Sequence, residues 1–121
     1  MTLDEIKKIL EAEVIVGDDM LGEEITIACG CDLMSDVLSF VKPGALLLTG
    51  LINPQVVRTA EMADLQAICF VRGKRPAQET IDMAASKGIP LMTTPLLLFE
   101  SCGRLHRKGL SGCSETRVKV K

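Results

Sequence analysis

Ala45-Leu46-Leu47-Leu48-Thr49-Gly50-Leu51-Ile52-Asn53-Pro54 is the stretch on which the fold of this chain turns. Residues 45–49 carry no charge and no polar alternation, as a strand covered on both faces requires. The Gly and the Asn-Pro pair that follow are turn and helix-start residues. Similar apolar runs stand on either side, at residues 25–29, 67–71 and 89–93, roughly every twenty residues, with helix-like stretches between them. Strands alternating with helical patterns predict a parallel sheet. The expected fold class is therefore α/β: a single domain with a mostly parallel sheet of about four to five strands flanked by helices, residues 14–16 being the short extra candidate.

The helical stretches carry their own punctuation. Thr2 followed by Glu5 has the spacing of a capping box, and Leu3, Ile6, Ile9 and Leu10 then mark one helical face. Asp32 stands where a side chain would cap the next helix, whose stripe is Leu33, Val37 and Val41 with Met34 and Leu38 beside them. Asn53-Pro54, Arg75-Pro76 and Thr94-Pro95 read as three further helix openings, and Gly88 and Gly109 as C-terminal stops. Residues 46–63 and 69–84 share a weak strand–Gly–Pro–helix pattern ending in carboxylate-Met-Ala, which common βα chemistry explains as well as duplication does.

A chain of 121 residues can bury one core, hiding roughly two thirds of the surface it exposes when unfolded. Hydrophobic residues make up 47% and aromatic residues 2%, with no Trp or Tyr, so aliphatic side chains and Met fill the interior. The shortage of rings argues against stacking on single-stranded nucleic acid. The longest uncharged stretch, residues 43–57, contains two prolines and two glycines and falls short of the ~20 apolar residues that span a bilayer, so no membrane segment is expected. The start of the chain is amphipathic and partly acidic, unlike a secretion signal, and five cysteines, an odd number, suit reduced thiols. A cytoplasmic setting is expected.

Charge divides the chain. Residues 1–103 carry 8 basic and 15 acidic side chains, while residues 104–121 carry 6 and 1, so residues 1–110 read as the α/β domain and residues 111–121 as a basic tail. The tail is a route to nucleic acid, which the acidic body opposes. A mean hydropathy of +0.28 in so small a chain favours a homodimer that covers some apolar surface.

In parallel sheets ligands bind beyond the carboxyl ends of the strands, so the strand-end loops are the candidate site. Asp32, Ser35, Thr49, Gly50, Asn53, Arg72, Gly73 and Thr94 are its ligand-binding candidates. Glycines allow close backbone approach, the basic Arg72-Gly73-Lys74-Arg75 run attracts an anion, and helix starts after Asn53 and Thr94 present amides. No complete phosphate-loop or dinucleotide motif is present. Cys29, Cys31, Cys102 and His106 could supply thiolate and imidazole to a metal, although buried cysteine more often acts as a small hydrophobe. Asp32 and Asp36 lack a His, Lys or Ser partner at a catalytic spacing, so no catalytic residue is assigned and no cofactor is implied.

Asp32-Leu33-Met34-Ser35-Asp36-Val37, Leu47-Leu48-Thr49-Gly50, residues 68–73 and Gly88-Ile89-Pro90-Leu91 together resemble a DRTGG domain over residues 1–110. More distantly, the run from Ser35-Asp36 through Lys42-Pro43-Gly44-Ala45 to Ala67-Ile68 is similar to the N-terminal domains of HPr kinase and of the ligases that extend UDP-muramyl peptides. In the ligases that domain holds a uridine nucleotide. A contiguous Asp-Arg-Thr-Gly-Gly string is absent, with Thr49-Gly50 and Arg72-Gly73 as partial echoes, so the resemblance implies the fold and carries over no catalytic residue. The combined expectation is a non-catalytic regulatory module that senses a small nucleotide-like or anionic ligand at the strand ends. The alternatives are a protein-interaction adaptor working through a dimer surface or the basic tail, and a Cys/His redox or metal protein.

Overall fold

Thr2 opens the first helix as its spacing to Glu5 predicts. In the computed structural model, which describes residues 1–114, the Glu5 amide donates to Thr2 Oγ1 and the Thr2 amide to Glu5 Oε1, giving both halves of a capping box at the start of α1 (Leu3–Ile9). Leu3, Ile6 and Leu10 are fully buried from that helix and its cap. The chain continues through β1 (Glu13–Val16), a short 3-10 turn (Asp18–Met20), β2 (Ala28–Gly30), α2 (Met34–Phe40), β3 (Leu46–Thr49), α3 (Pro54–Met62), β4 (Ala67–Phe70), α4 (Gln78–Lys87), β5 (Leu91–Thr93) and α5 (Leu98–Arg107).

The five strands form one sheet in the order β1-β5-β4-β3-β2, with β2 to β5 parallel and β1 antiparallel to β5. The α/β, mostly parallel single domain expected from the apolar runs is the observed fold. Because β2, β3, β4 and β5 lie in chain order, each right-handed crossover places its helix on the same face. Val37, Val56, Val57, Ala60 and Ala84 of α2, α3 and α4 therefore pack with Leu47, Ile68, Phe70 and Leu91 on one side. Leu3, Ile6 and Leu105 of α1 and α5 pack with Leu46, Leu48, Cys69 and Met92 on the other. Successive residues of β3 and β4 alternate between these two layers, which is why neither strand has a polar face.

Local expectations were corrected in three places. The strand expected over residues 25–29 is only Ala28–Gly30, because the Ile25 amide donates to the Met1 carbonyl and Thr2 bridges Glu24, leaving that part of the run paired with the N-terminus. Ile25 is buried all the same. In α2 the stripe faces inward at Val37, with Met34 and Val41 partly buried, while Leu33 and Leu38 are exposed. The proline devices at Arg75-Pro76 and Thr94-Pro95 do not open helices; α4 starts after Ala77 and α5 after Leu97. The carbonyls of Thr94 and Leu96 instead accept the amides of Gly73 and Arg72, holding that segment as a loop. Gly88, in the left-handed region at φ 68°, closes α4 as expected.

Both described ends of the chain meet the same stretch. The Met1 ammonium is 2.7 Å from Glu24 Oε2, and the Ala28 amide donates to the Ser111 carbonyl at 3.0 Å in a parallel bridge beside the β2 edge. Of the basic tail, residues 115–121 lie outside the described residues. Among the described residues no helix is long and apolar enough to cross a membrane.

Candidate functional site

Asp32 leaves the end of β2 and reaches sideways to the next strand. Its Oδ1 accepts the Thr49 hydroxyl and the Gly50 amide, each at 2.8 Å, tying the tip of β2 to the tip of β3. The expectation of Asp32 as a helix cap is thereby corrected: α2 begins after Leu33 with no side-chain cap. Thr49 is fully buried, and its oxygen also accepts the Leu51 amide at 3.2 Å. A carboxylate of the protein thus occupies the two donors that an incoming phosphate would otherwise use.

The positive groups come from the tip of β4. Arg72 and Gly73 both lie in the left-handed region, at φ 62° and 69°, and the Lys74 amide donates to the Val71 carbonyl at 3.3 Å. Two consecutive positive φ values under such a bond are the signature of a type I′ turn. Gly73 adopts this conformation without penalty, whereas Arg72 carries a steric cost of about 1 kcal/mol or more. The turn brings the Arg72 guanidinium over Gly50: a Cβ on Gly50 would sit 3.2 Å from Arg72 Nη2 and 3.6 Å from Asp32 Oδ2. Close approach, not backbone conformation, is what Gly50 supplies here. Lys74 Nζ donates to the Gly50 carbonyl at 3.1 Å, and the Lys74 carbonyl accepts the Thr93 hydroxyl at 2.7 Å.

One carboxylate, one guanidinium and one ammonium therefore converge on three adjacent strand tips. Asp32, Thr49, Gly50 and Arg72 are brought together, with Gly73 shaping the turn. Lys74 belongs to the same cluster and was absent from the candidate set, although the basic run after β4 signalled it. Arg75 is directed away, pairing with Glu13 at 3.0 Å. Asn53 is the N-cap residue of α3 with Pro54 behind it, but its side chain makes no capping bond. Ser35 is exposed in the first turn of α2. Neither has a side-chain bond to the cluster among the described residues.

Among the described residues the Thr94 side chain bonds to the end of α1 and not to the cluster. It is fully buried, its hydroxyl donates to the Leu10 carbonyl at the C-terminal end of α1, and its oxygen accepts the Leu96 amide. Arg104 Nη1 donates to the neighbouring Ile9 carbonyl at 3.0 Å, so the two side chains satisfy orphan carbonyls of α1.

The cysteines do not assemble a metal site. Cys31 packs toward α2, α3 and α4 and Cys102 on the α1 and α5 side, while Cys29, Cys102 and His106 border one pocket beside β2. Among the described residues no three of His, Cys, Asp or Glu are grouped to hold a metal ion. Burial pushes the Cys29 thiol up to about 11 and the Cys69 thiol up to about 12, opposite to the shift of a reactive thiolate.

Comparison with known proteins bears on the fold and the family. A solved structure of the CBS and DRTGG domains of the regulatory region of Clostridium perfringens pyrophosphatase, complexed with the activator diadenosine tetraphosphate, has a TM-score of 0.65 with this chain. Identity is 18%, and the match covers 84% of this chain and 44% of that one, so the chain spans less than half the length of that structure. At this identity the likeness concerns the fold. No curated protein sequence matches the chain. The pattern that defines the DRTGG domain matches residues 5–107, nearly the whole described chain, and the chain belongs to the DRTGG domain family.

Proposed function

We propose that this DRTGG domain is a non-catalytic regulatory module that binds a nucleotide at the tips of β2, β3 and β4. The observation that carries the reading is Arg72, a non-glycine residue held at φ 62° with its guanidinium beside Gly50 and the Asp32 carboxylate. Strain of this kind is retained where a side chain must be aimed. Asp32 Oδ1 is used internally, while Oδ2 faces the same gap, so the cluster offers an acceptor for sugar hydroxyls next to two cations for phosphate. A nucleotide fits both halves; inorganic phosphate fits only one. The activator in the pyrophosphatase structure is a dinucleoside polyphosphate, which supports the same ligand class.

Thermal unfolding followed by far-UV circular dichroism tests the reading with ATP, diadenosine tetraphosphate and inorganic phosphate. The nucleotides raise Tm and phosphate alone does so weakly. Arg72→Gly removes the left-handed penalty and keeps or raises the basal Tm, yet abolishes the nucleotide shift. No shift with either nucleotide, or an undiminished shift in Arg72→Gly, overturns the proposal.

A second reading, self-association, is favoured by the exposed Leu33, Leu38, Phe40 and Leu97 on or beside α2 and α5, 46–57% accessible in a chain of modest size. Sedimentation of wild type against Leu38→Glu distinguishes a dimer from a monomer.

A further inference from the structure

A slot of about 370 Å³ runs between the edge strand β2 and α5, walled by Ala28, Leu48, Leu105 and Leu110 and sharing no residue with the charged cluster. Its size is within the range of about 300–1,000 Å³ typical of small-molecule sites. Three glycines border it. Gly30 has a packing reason: a Cβ there would collide with Cys102 Sγ and come within 3.2 Å of Leu98. Gly103 has none. It lies in the middle of α5, its φ is not positive, and a Cβ would meet nothing within 4 Å. A glycine inside a helix costs about 1 kcal/mol relative to alanine, so one without a steric or conformational reason wants another explanation. Among the described residues Gly103 is the one glycine within a helix, and it stands on the wall of the slot.

Phe99 is on the same helix one turn earlier and borders the slot, the residue being 86% exposed. Among the described residues no carboxylate, Lys or Arg lines the slot. The lining is mostly apolar, with His106 as its imidazole, so an uncharged ring would bury its faces against the aliphatic walls and its edge against Phe99.

We propose that the slot between β2 and α5 is a binding site for an uncharged, ring-bearing small molecule, kept open by the missing side chain of Gly103. The site is independent of the nucleotide reading, since it shares no residue with the strand-tip cluster. Half-burial raises the Cys102 thiol above its ordinary value, in keeping with a dry wall beside the ring.

Indole is a suitable probe, and the full chain can be titrated with it while ¹H–¹⁵N amide signals are followed. Saturable shifts centred on Gly30, Gly103 and Gly112 are expected, with slower alkylation of Cys102 by iodoacetamide when indole is bound. Gly103→Ala should raise Tm and weaken the titration; Gly103→Leu should fold normally and abolish it. Absence of saturable shifts, or an undiminished titration in Gly103→Leu, overturns the proposal. So do shifts at the same glycines that depend on protein concentration without indole, because they assign the slot to a second copy of the chain.

Discussion

Replacing Asp32 by alanine should loosen the tips of β2 and β3 from one another. Asp32 Oδ1 accepts two bonds at 2.8 Å, one from a fully buried threonine hydroxyl and one from the buried Gly50 amide. Hydrogen bonds to charged groups contribute about 1.5–3 kcal/mol each where buried, and the exposure of Asp32 itself brings each bond below that range, to about 1 kcal/mol, or about 2 kcal/mol for the pair. Unfolding a chain of this length carries an entropy of roughly 250 cal/mol/K, so 2 kcal/mol corresponds to a fall in Tm of about 8 °C. Asp32→Asn keeps an acceptor oxygen and loses the charge, and should cost about half as much. Thr49→Val removes one of the two donors and the acceptor used by the Leu51 amide. A double-mutant cycle between Asp32→Ala and Thr49→Val should therefore show a coupling of about 1 kcal/mol. Urea unfolding monitored by circular dichroism measures all five proteins, and the lack of Trp and Tyr makes that probe the natural one. An Asp32→Ala protein within about 0.5 kcal/mol of wild type, or a coupling near zero, would show that the carboxylate is solvated and does not tie the strands.

Thr94→Val should lose about 2 kcal/mol by uncapping α1 and orphaning the Leu96 amide, while the nucleotide thermal shift persists; a lost shift with intact stability would return Thr94 to the site. Thr59 on α3 and Thr80 on α4 bury hydroxyls without a partner, so Thr59→Val and Thr80→Val should each gain up to about 1 kcal/mol in urea unfolding, and a loss in both would contradict the packing described. Cys69, pushed up to about 12 by burial, should be the last thiol that iodoacetamide labels at pH 8, its thiolate fraction being about 10⁻⁴ even before access is considered. Because its folded pKa lies above the unfolded value, its contribution to stability is complete below about pH 9 and declines as pH rises toward 12, which alkaline unfolding of wild type against Cys69→Ala measures.

The central strands were legible because residues 45–49 and 67–71 have no polar face, and only a strand sandwiched between helix layers accommodates that pattern. The convergence of Asp32, Thr49, Gly50 and Arg72 followed from strand direction alone. The start of β2 was not legible, since Ile25 is as apolar and as buried as a strand residue while its amide is committed to Met1. Local cap chemistry misled at Asp32 and Thr94 for one reason: both side chains also bond far along the chain, across 17 and 84 residues of sequence, Thr94 while keeping the nearby Leu96 amide. No spacing rule encodes such a reach. The slot beside α5 left one trace in the sequence, a glycine inside an otherwise helical pattern, which gains meaning only when its empty surroundings are seen.

The convergence of Met1 and Ser111 on residues 24–28 gives the fold a single doorway. Met1 and Ser111 lie at the same margin of the molecule, within reach of one short peptide. This makes the fold a candidate for circular permutation, with a short peptide joining these points and new termini cut at the exposed Asp18-Asp19 turn.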